Sequence, residues 1–474
     1  MNKRIENIKT FVLLLLILTS ILLAAIIWSG DQISGFFSMF QAEKKAAVPS
    51  LTELTEVYFG IPESIMLHLD GEKIQLSEED PYYTHMWTQI TESIRIFLSA
   101  PNKKAIAVSD DVWQEAIKGN SIFLDFHGQY TTEFFSQIYH SEYKTDGYQF
   151  SQLLIRFPST YSSQYAFLIR DETSGQIYQF YVSDPSLHLS KSVNMVSQNL
   201  KNPNFVYSFE VNFDKNSDSS LQTQNVLIDS MVLLNLEEAD YHVYEAINPL
   251  VHENAELNGS LIQSIAALFQ VNAQTMSKYV DENGSITFVE NYATLKIHSN
   301  GLVEHQVTDE TAAPPLTVEG SPAELAADFI GRVLSLTGCH SDLLYNSDLS
   351  GKTKTDTFQF GFDYKIDSSP VSLTVDGEAK EAISLEIKDN KLISYQHYLR
   401  EYRREGGGVR LPASISVIDS ALRANHASSA AIPFIDQMYV GYRDGGAFDR
   451  AEPCWYVHFQ DAETQLINGG QEEP

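Results

Sequence analysis

Residues 285–307 read SITFVENYATLKIHSNGLVEHQV. Apolar and polar residues alternate through Ser285–Tyr292, Ala293–His298 and Leu302–Val307, the period of strands that bury one face. Asn300-Gly301 stands between the last two runs, and an Asn-Gly pair flanked by alternating residues is the strongest short-range hairpin signal a sequence carries. The stretch predicts a meander of antiparallel strands.

Upstream, residues 248–280 take helical spacing, with Ile262, Ile265, Leu268 and Phe269 on one face. Tyr207–Asp214 and Val226–Leu236 read as extended. Phe150–Val182 is strand-like, its runs LLIRF, QYAFLIRD and QIYQFYVS parted by Pro158 and by the turn Thr173-Ser174-Gly175. Pro81–Ala100 repeats Met86, Ile90, Ile94 and Phe97/Leu98 at helical spacing, and Pro185–Leu200 does the same. Asp110 and Asp111 suit the cap of a short helix ending at Gly119, and Ser121–His127 alternates as a strand.

Downstream, Thr308–Gly320 with Pro314-Pro315 reads as a linker. Ser321-Pro322-Ala323-Glu324 is a helix start with a capping residue, a proline in the first turn and a glutamate three positions on. Its apolar face ends before Gly338. Strands are expected at Phe358–Tyr364, Ala382–Lys388 and Lys391–Tyr402, with an Asp389-Asn390 turn. Gly406-Gly407-Gly408 reads as a flexible break, after which a helix from Pro412 (Ile415, Ile418, Ala421, Leu422) and strands at Asp436–Tyr442 and Trp455–Phe459 repeat the order. The expected class is α+β with antiparallel sheets and a C-terminal helix-plus-strands repeat.

Near the N-terminus, residues 10–30 carry no charge and include the apolar run Phe11–Trp28. At about 1.5 Å per residue such a helix covers roughly 31 Å, the thickness of a hydrocarbon core. Lys3, Arg4 and Lys9 precede it and Asp31 follows, which places the N-terminus in the cytoplasm and the rest outside. Ile26, Ile27 and Trp28 interrupt any small-residue cleavage site after Ala25, so the span is expected to stay attached. Ser20, Ala24 and Ala25 offer small surfaces for packing against another membrane helix. The expected organisation is a cytoplasmic tail (1–9), a transmembrane helix (10–30), a juxtamembrane linker (31–50) and three extracytoplasmic parts. These are an α+β domain (51–200), a central α+β domain (201–313) and a C-terminal domain (314–474).

The chain has 474 residues, 32 Lys plus Arg against 62 Asp plus Glu, and a net charge of −30. Such a surface repels nucleic acid and anionic polymers. Cys339 and Cys454 have no metal-ligand spacing; they suit buried core positions or one disulfide. Chemistry-bearing motifs are sparse. Ser141-x-x-Lys144 lacks the downstream S-D-N and K-T-G partners of penicillin-interacting enzymes. Gly351-Lys352-Thr353 lacks the leading glycine of a phosphate loop, Asn standing at 346. Asp214-x-Asn216-x-Asp218 has Ser219 and Asn225 where a calcium loop needs Gly and Glu. His68, His127 and His298 sit in strand-like runs as core or rim residues. No catalytic, cofactor or metal site is expected.

The single span, Ile265-Ala-Ala-Leu-Phe269 with Ser285–His298 behind it, and the two terminal helix-plus-strands units resemble the YycH/YycI family. AISLEIKDNKLISYQHY (382–398) and CWYVHF (454–459) are similar to its YycI-like end. These are membrane-anchored accessory regulators of the WalK/WalR (YycG/YycF) two-component system of low-GC Gram-positive bacteria. The resemblance implies a non-enzymatic extracytoplasmic regulator without cofactors. Its partners would be a WalK-type sensor histidine kinase and a companion YycI-type protein, met through protein and transmembrane-helix contacts in cell-wall homeostasis. The alternative is an exported cell-wall enzyme, or a chaperone or inhibitor of such enzymes.

Overall fold

The computed structural model describes residues 50–474 apart from 101–103, 142–146, 159–163, 184–187, 201–204, 212–226, 230, 253–256, 271–276, 347–356, 427–433, 461–463 and 469–474. The expected span at 10–30, with Ser20, Ala24 and Ala25, lies outside the described residues, as do Lys144, the 214–218 turn and the 351–353 motif. No described helix is long and apolar enough to cross a membrane.

From Leu51 the chain runs α1 (Leu51–Phe59), β1 (Ser64–Leu69), β2 (Glu72–Gln75), α2 (Tyr83–Ser99), β3 (Ile106–Val108), α3 (Asp110–Lys118), β4 (Ser121–Thr131), α4 (Thr132–Ile138), β5 (Gln149–Arg156), β6 (Tyr165–Arg170), β7 (Ile177–Val182) and α5 (Leu189–Ser197). Its strands form a seven-stranded antiparallel sheet in the order β2-β1-β4-β5-β6-β7-β3. Asp70 and Gly71 turn β1 into β2, both with positive φ, the geometry of the tightest hairpin turns.

Then come β8 (Phe205–Tyr207), β9 (Leu227–Ile228), β10 (Leu233–Asn235), β11 (Ala239–Ile247), α6 (Gly259–Leu268), β12 (Ser277–Val280), β13 (Ile286–Val289), β14 (Ala293–Ile297) and β15 (Leu302–Val307). The chain continues through α7 (Pro322–Thr337), β16 (Asp342–Tyr345), β17 (Phe358–Ile366), β18 (Ser369–Val375), β19 (Glu378–Lys380), β20 (Ile383–Lys388), β21 (Lys391–Tyr398), β22 (Glu401–Leu411), α8 (Ser414–His426), β23 (Phe434–Asp444), β24 (Arg450–Phe459) and β25 (Gln465–Asn468). Among the described residues these build a 16-stranded sheet along β12-β13-β14-β15-β21-β20-β17-β18-β23-β24-β11-β22. Its pairs are antiparallel except β18–β23 and β23–β9. β8 and β10 pair separately.

The meander forms where the alternation puts it. Ile286, Phe288, Leu295 and Ile297 are buried on one face. Gly301 takes φ 87° while its amide donates to the His298 carbonyl at 3.2 Å, so the hairpin closes through a tight turn ending on a left-handed glycine. Asp389 and Asn390 both take positive φ between β20 and β21. At α7 the Ser321 Oγ accepts from the Glu324 amide, the Glu324 carboxylate accepts from the Ser321 amide, and Gly338 ends the helix at φ 69°. The sheets share one apolar core. Phe59 of α1 is central to it, its ring 5.1–5.7 Å from those of Phe134, Tyr345, Phe360 and Phe362, so rings from both sheets' layers meet there.

Several local expectations are corrected. Gly406-Gly407-Gly408 is no flexible break but the middle of β22, an edge strand paired with β11, where the register slips between His242 and Tyr244. A Cβ on Gly408 would lie 3.1 Å from the Tyr241 carbonyl oxygen, so the bulged strand draws on the small residue. Residues 277–280, expected helical, pair as β12 with β13. Tyr207–Asp214, expected extended, enters a 3-10 turn at Ser208–Glu210, where the Glu210 carboxylate accepts from the Tyr207 amide. The cap of α3 is Ser109, with Asp110 and Asp111 inside the first turn. Seven strands separate α7 from α8 and three follow α8 among the described residues, a less even arrangement than the expected repeat. Leu51–Pro474 form one compact unit. Within it β15 pairs with β21, so sheet hydrogen bonding crosses residue 313.

Candidate functional site

A cleft of about 700 Å³ opens between the seven-stranded sheet, the β8–β10 pair and the β11, β18 and β23 region of the larger sheet. Its first wall follows from alternation on β4. Ile122, Leu124 and Phe126 turn into the main core, while Phe123, Asp125 and His127 line the cleft. Cross-strand register extends both rows, Met66–Phe123–Leu154 and Ser64–Asp125–Gln152. Between Asp125 and Tyr130 the β4 register against β5 shifts, so His127 stands on an irregular stretch free of strict pairing.

His127 bridges the two sheets. Its Nδ1 lies 2.8 Å from Glu63 Oε2 and its Nε2 3.0 Å from Asp363 Oδ2 on β17. Burial disfavours the charged ring, yet the hydrogen bonds and charges of Asp363 and Glu63 outweigh it and push the pKa up to about 10, so the ring is an imidazolium with both N–H groups engaged. Asn346 Nδ2 donates at 2.5 Å to the same Asp363 Oδ2 that faces His127, which helps to fix that carboxylate. Asp125 shares the wall. Desolvation and the neighbouring Glu63 charge raise its carboxyl to about 7, with Gln152 and His127 opposing. Tyr439 of β23 feels Glu63 and Asp363 after desolvation, and its phenol is raised as well.

A second tie lies at the rim. Lys365, 5% exposed, meets the Glu78 carboxylate at 2.5 Å. The Glu78 amide donates to Ser368 Oγ, and Asp367 accepts from Tyr244 (2.6 Å) and Tyr442 (3.0 Å). Asp367 and Ser368 form a positive-φ turn between β17 and β18, held by Tyr244 and Tyr442 of the same sheet and tied by the Glu78 amide to the segment after β2.

The remaining polar groups are internal. His68 is held by Ser121 (2.8 Å) and Tyr207 (2.9 Å), and burial lowers its pKa to about 3. His397 is wedged between Tyr364 and Tyr395, also near 3. Arg400 and Asp444, each 1% exposed, pair at 3.3 Å, with Tyr402 donating to Asp444 and Phe448 lying under the guanidinium. His298 pairs with Glu304. His68 is thus a satisfied core residue and His127 a rim residue. Cys339 and Cys454 are buried and unpaired with each other, and burial raises both thiols. Among the described residues no three His, Cys, Asp or Glu side chains converge as a metal site would require.

The cleft was missed from sequence because its walls come from segments scattered between residues 63 and 455. The one local hint was the charged pair Asp125 and His127 in an otherwise apolar alternating run.

No family model matches this chain, and no curated protein matches it. Among solved structures it is similar to the crystal structure of YycH from Bacillus subtilis. The identity is 14%, the TM-score 0.55, and the match covers 88% of this chain and 97% of that one. The likeness is one of fold: the chain has a YycH-like fold of mixed helices and antiparallel sheets.

Proposed function

We propose that this protein is a membrane-anchored, extracytoplasmic regulator that acts by contact with a sensor histidine kinase of the WalK type. A companion of the YycI type would join it. The observation that carries the reading is the YycH-like fold over 88% of the chain. The charge-free stretch 10–30 supports the anchor, with Ser20, Ala24 and Ala25 as contact points for the kinase's membrane helices. Contact at the membrane would bias the kinase between its signalling states by differential affinity for them. The protein itself performs no catalysis in this reading.

Affinity purification of the full-length protein from native membranes tests the reading. Capture of a histidine kinase, with or without a second single-span protein, is the expected result; repeated capture of neither refutes it. One observation favours a second reading as a cell-wall enzyme: a carboxyl titrating near 7 at a cleft suits general acid–base work. Hydrolysis of peptidoglycan by the wild type, lost in Asp125→Asn, would establish that reading instead.

A further inference from the structure

The cleft carries an excess of negative charge with no internal counterpart. Asp125, Glu172, Asp229, Asp240 and Asp367 all line it, and among the described residues none of them is in an ion pair. The two cationic groups in the lining are already committed. His127 is held by Glu63 and Asp363, while Arg170 reaches Asp110 at 2.9 Å and lies over the Trp113 ring. Asp125 is desolvated, and the His127 charge that acts on it is already shared between Glu63 and Asp363. The carboxylates are spread along the groove rather than focused, and no metal-binding group forms. Spread charge fits a ligand whose cations are spaced along a chain. Half-buried Tyr241 and Tyr439 add aromatic surface, which suits alkyl stems and cationic heads.

We propose that this cleft seats an extended lysine- or arginine-bearing segment of a partner protein. The identity of that partner rests on the regulatory reading above, but the two fail separately.

The test uses the full-length protein and a fluorescent peptide of alternating lysine and leucine, followed by anisotropy. At pH 8, where Asp125 is mostly ionised, the peptide binds, binding weakens with added salt, and the double variant Asp125→Asn/Asp240→Asn lowers affinity by about tenfold, equivalent to about 1.4 kcal/mol. A peptide of alternating glutamate and leucine does not bind. Equal binding of the acidic peptide, or unchanged affinity in the double variant, overturns the proposal. So does a site that spermine fills and the peptide does not. Should the double variant fail to fold by circular dichroism, Glu172→Gln/Asp240→Asn, both at exposed positions, carries the same comparison. Loss of peptide binding with kinase capture intact sinks the cleft alone; failed kinase capture with peptide binding intact sinks only the regulatory reading.

Discussion

Replacing His127 with glutamine removes the imidazolium that joins the two sheets and leaves Glu63 and Asp363 facing each other without a cation. The side chains of the three residues are 18%, 22% and 16% exposed, so water screens them weakly. The folded ring titrates near 10 against 6.5 for the free side chain. One pKa unit corresponds to about 1.4 kcal/mol, and breaking a buried pair costs about 3–5 kcal/mol, so His127→Gln is expected to lose roughly 3–5 kcal/mol. A raised histidine contributes stability that is fully present below pH 6.5 and is lost as pH rises through about 10. The wild-type advantage is therefore largest at and below pH 6.5 and shrinks across that window. Urea unfolding of both proteins at a series of pH values, followed by tryptophan fluorescence, gives the difference directly. A difference that stays flat across the window, or one under about 1 kcal/mol at its acid end, would refute the bridge as a stabilising charge cluster.

Asp125 gives the opposite sign. Its carboxyl is raised to about 7 from 3.8, so its contribution is present below 3.8 and lost as pH rises through 7. Asp125→Asn should exceed wild-type stability by roughly 2–4 kcal/mol above pH 7 and converge with it in acid, as read by urea unfolding. Gly301→Ala meets both a φ of 87° and a Cβ position 2.8 Å from the Arg400 guanidinium and the Phe448 ring. A loss of roughly 2–4 kcal/mol is expected in thermal or urea melts, and a neutral result would mean the turn relaxes freely. Arg400→Met strands Asp444 in the interior and should cost about 3–5 kcal/mol, whereas Arg400→Met/Asp444→Leu should recover most of it. A double variant no better than the single one would contradict that account.

Local chemistry made much of the scaffold readable. Backbone preference and side-chain period act over a few residues, so the Asn300-Gly301 hairpin, the Asp389-Asn390 turn and the Ser321–Glu324 cap all stand where the chain's own residues put them. The same signals lost force where a neighbour from far away decided. The three glycines of 406–408 suggest looseness, yet β11 pairs on both sides of the bulge they form, with Gly408 opposite His242 and Arg404 opposite Tyr244. Ser277–Val280 is a strand because β13 offers it hydrogen bonds.

Composition and order along the chain thus determined the antiparallel α+β class, the turns and caps, and the charge that turns away anionic partners. Tertiary structure alone decided the union of strands into one large sheet across residue 313, the His127–Asp363 contact over 236 positions, and the cleft they border. Turns and periods are set by torsional energies within a few residues. A salt bridge or a cavity wall depends on which surfaces the packed core brings face to face, and no short stretch of sequence records that.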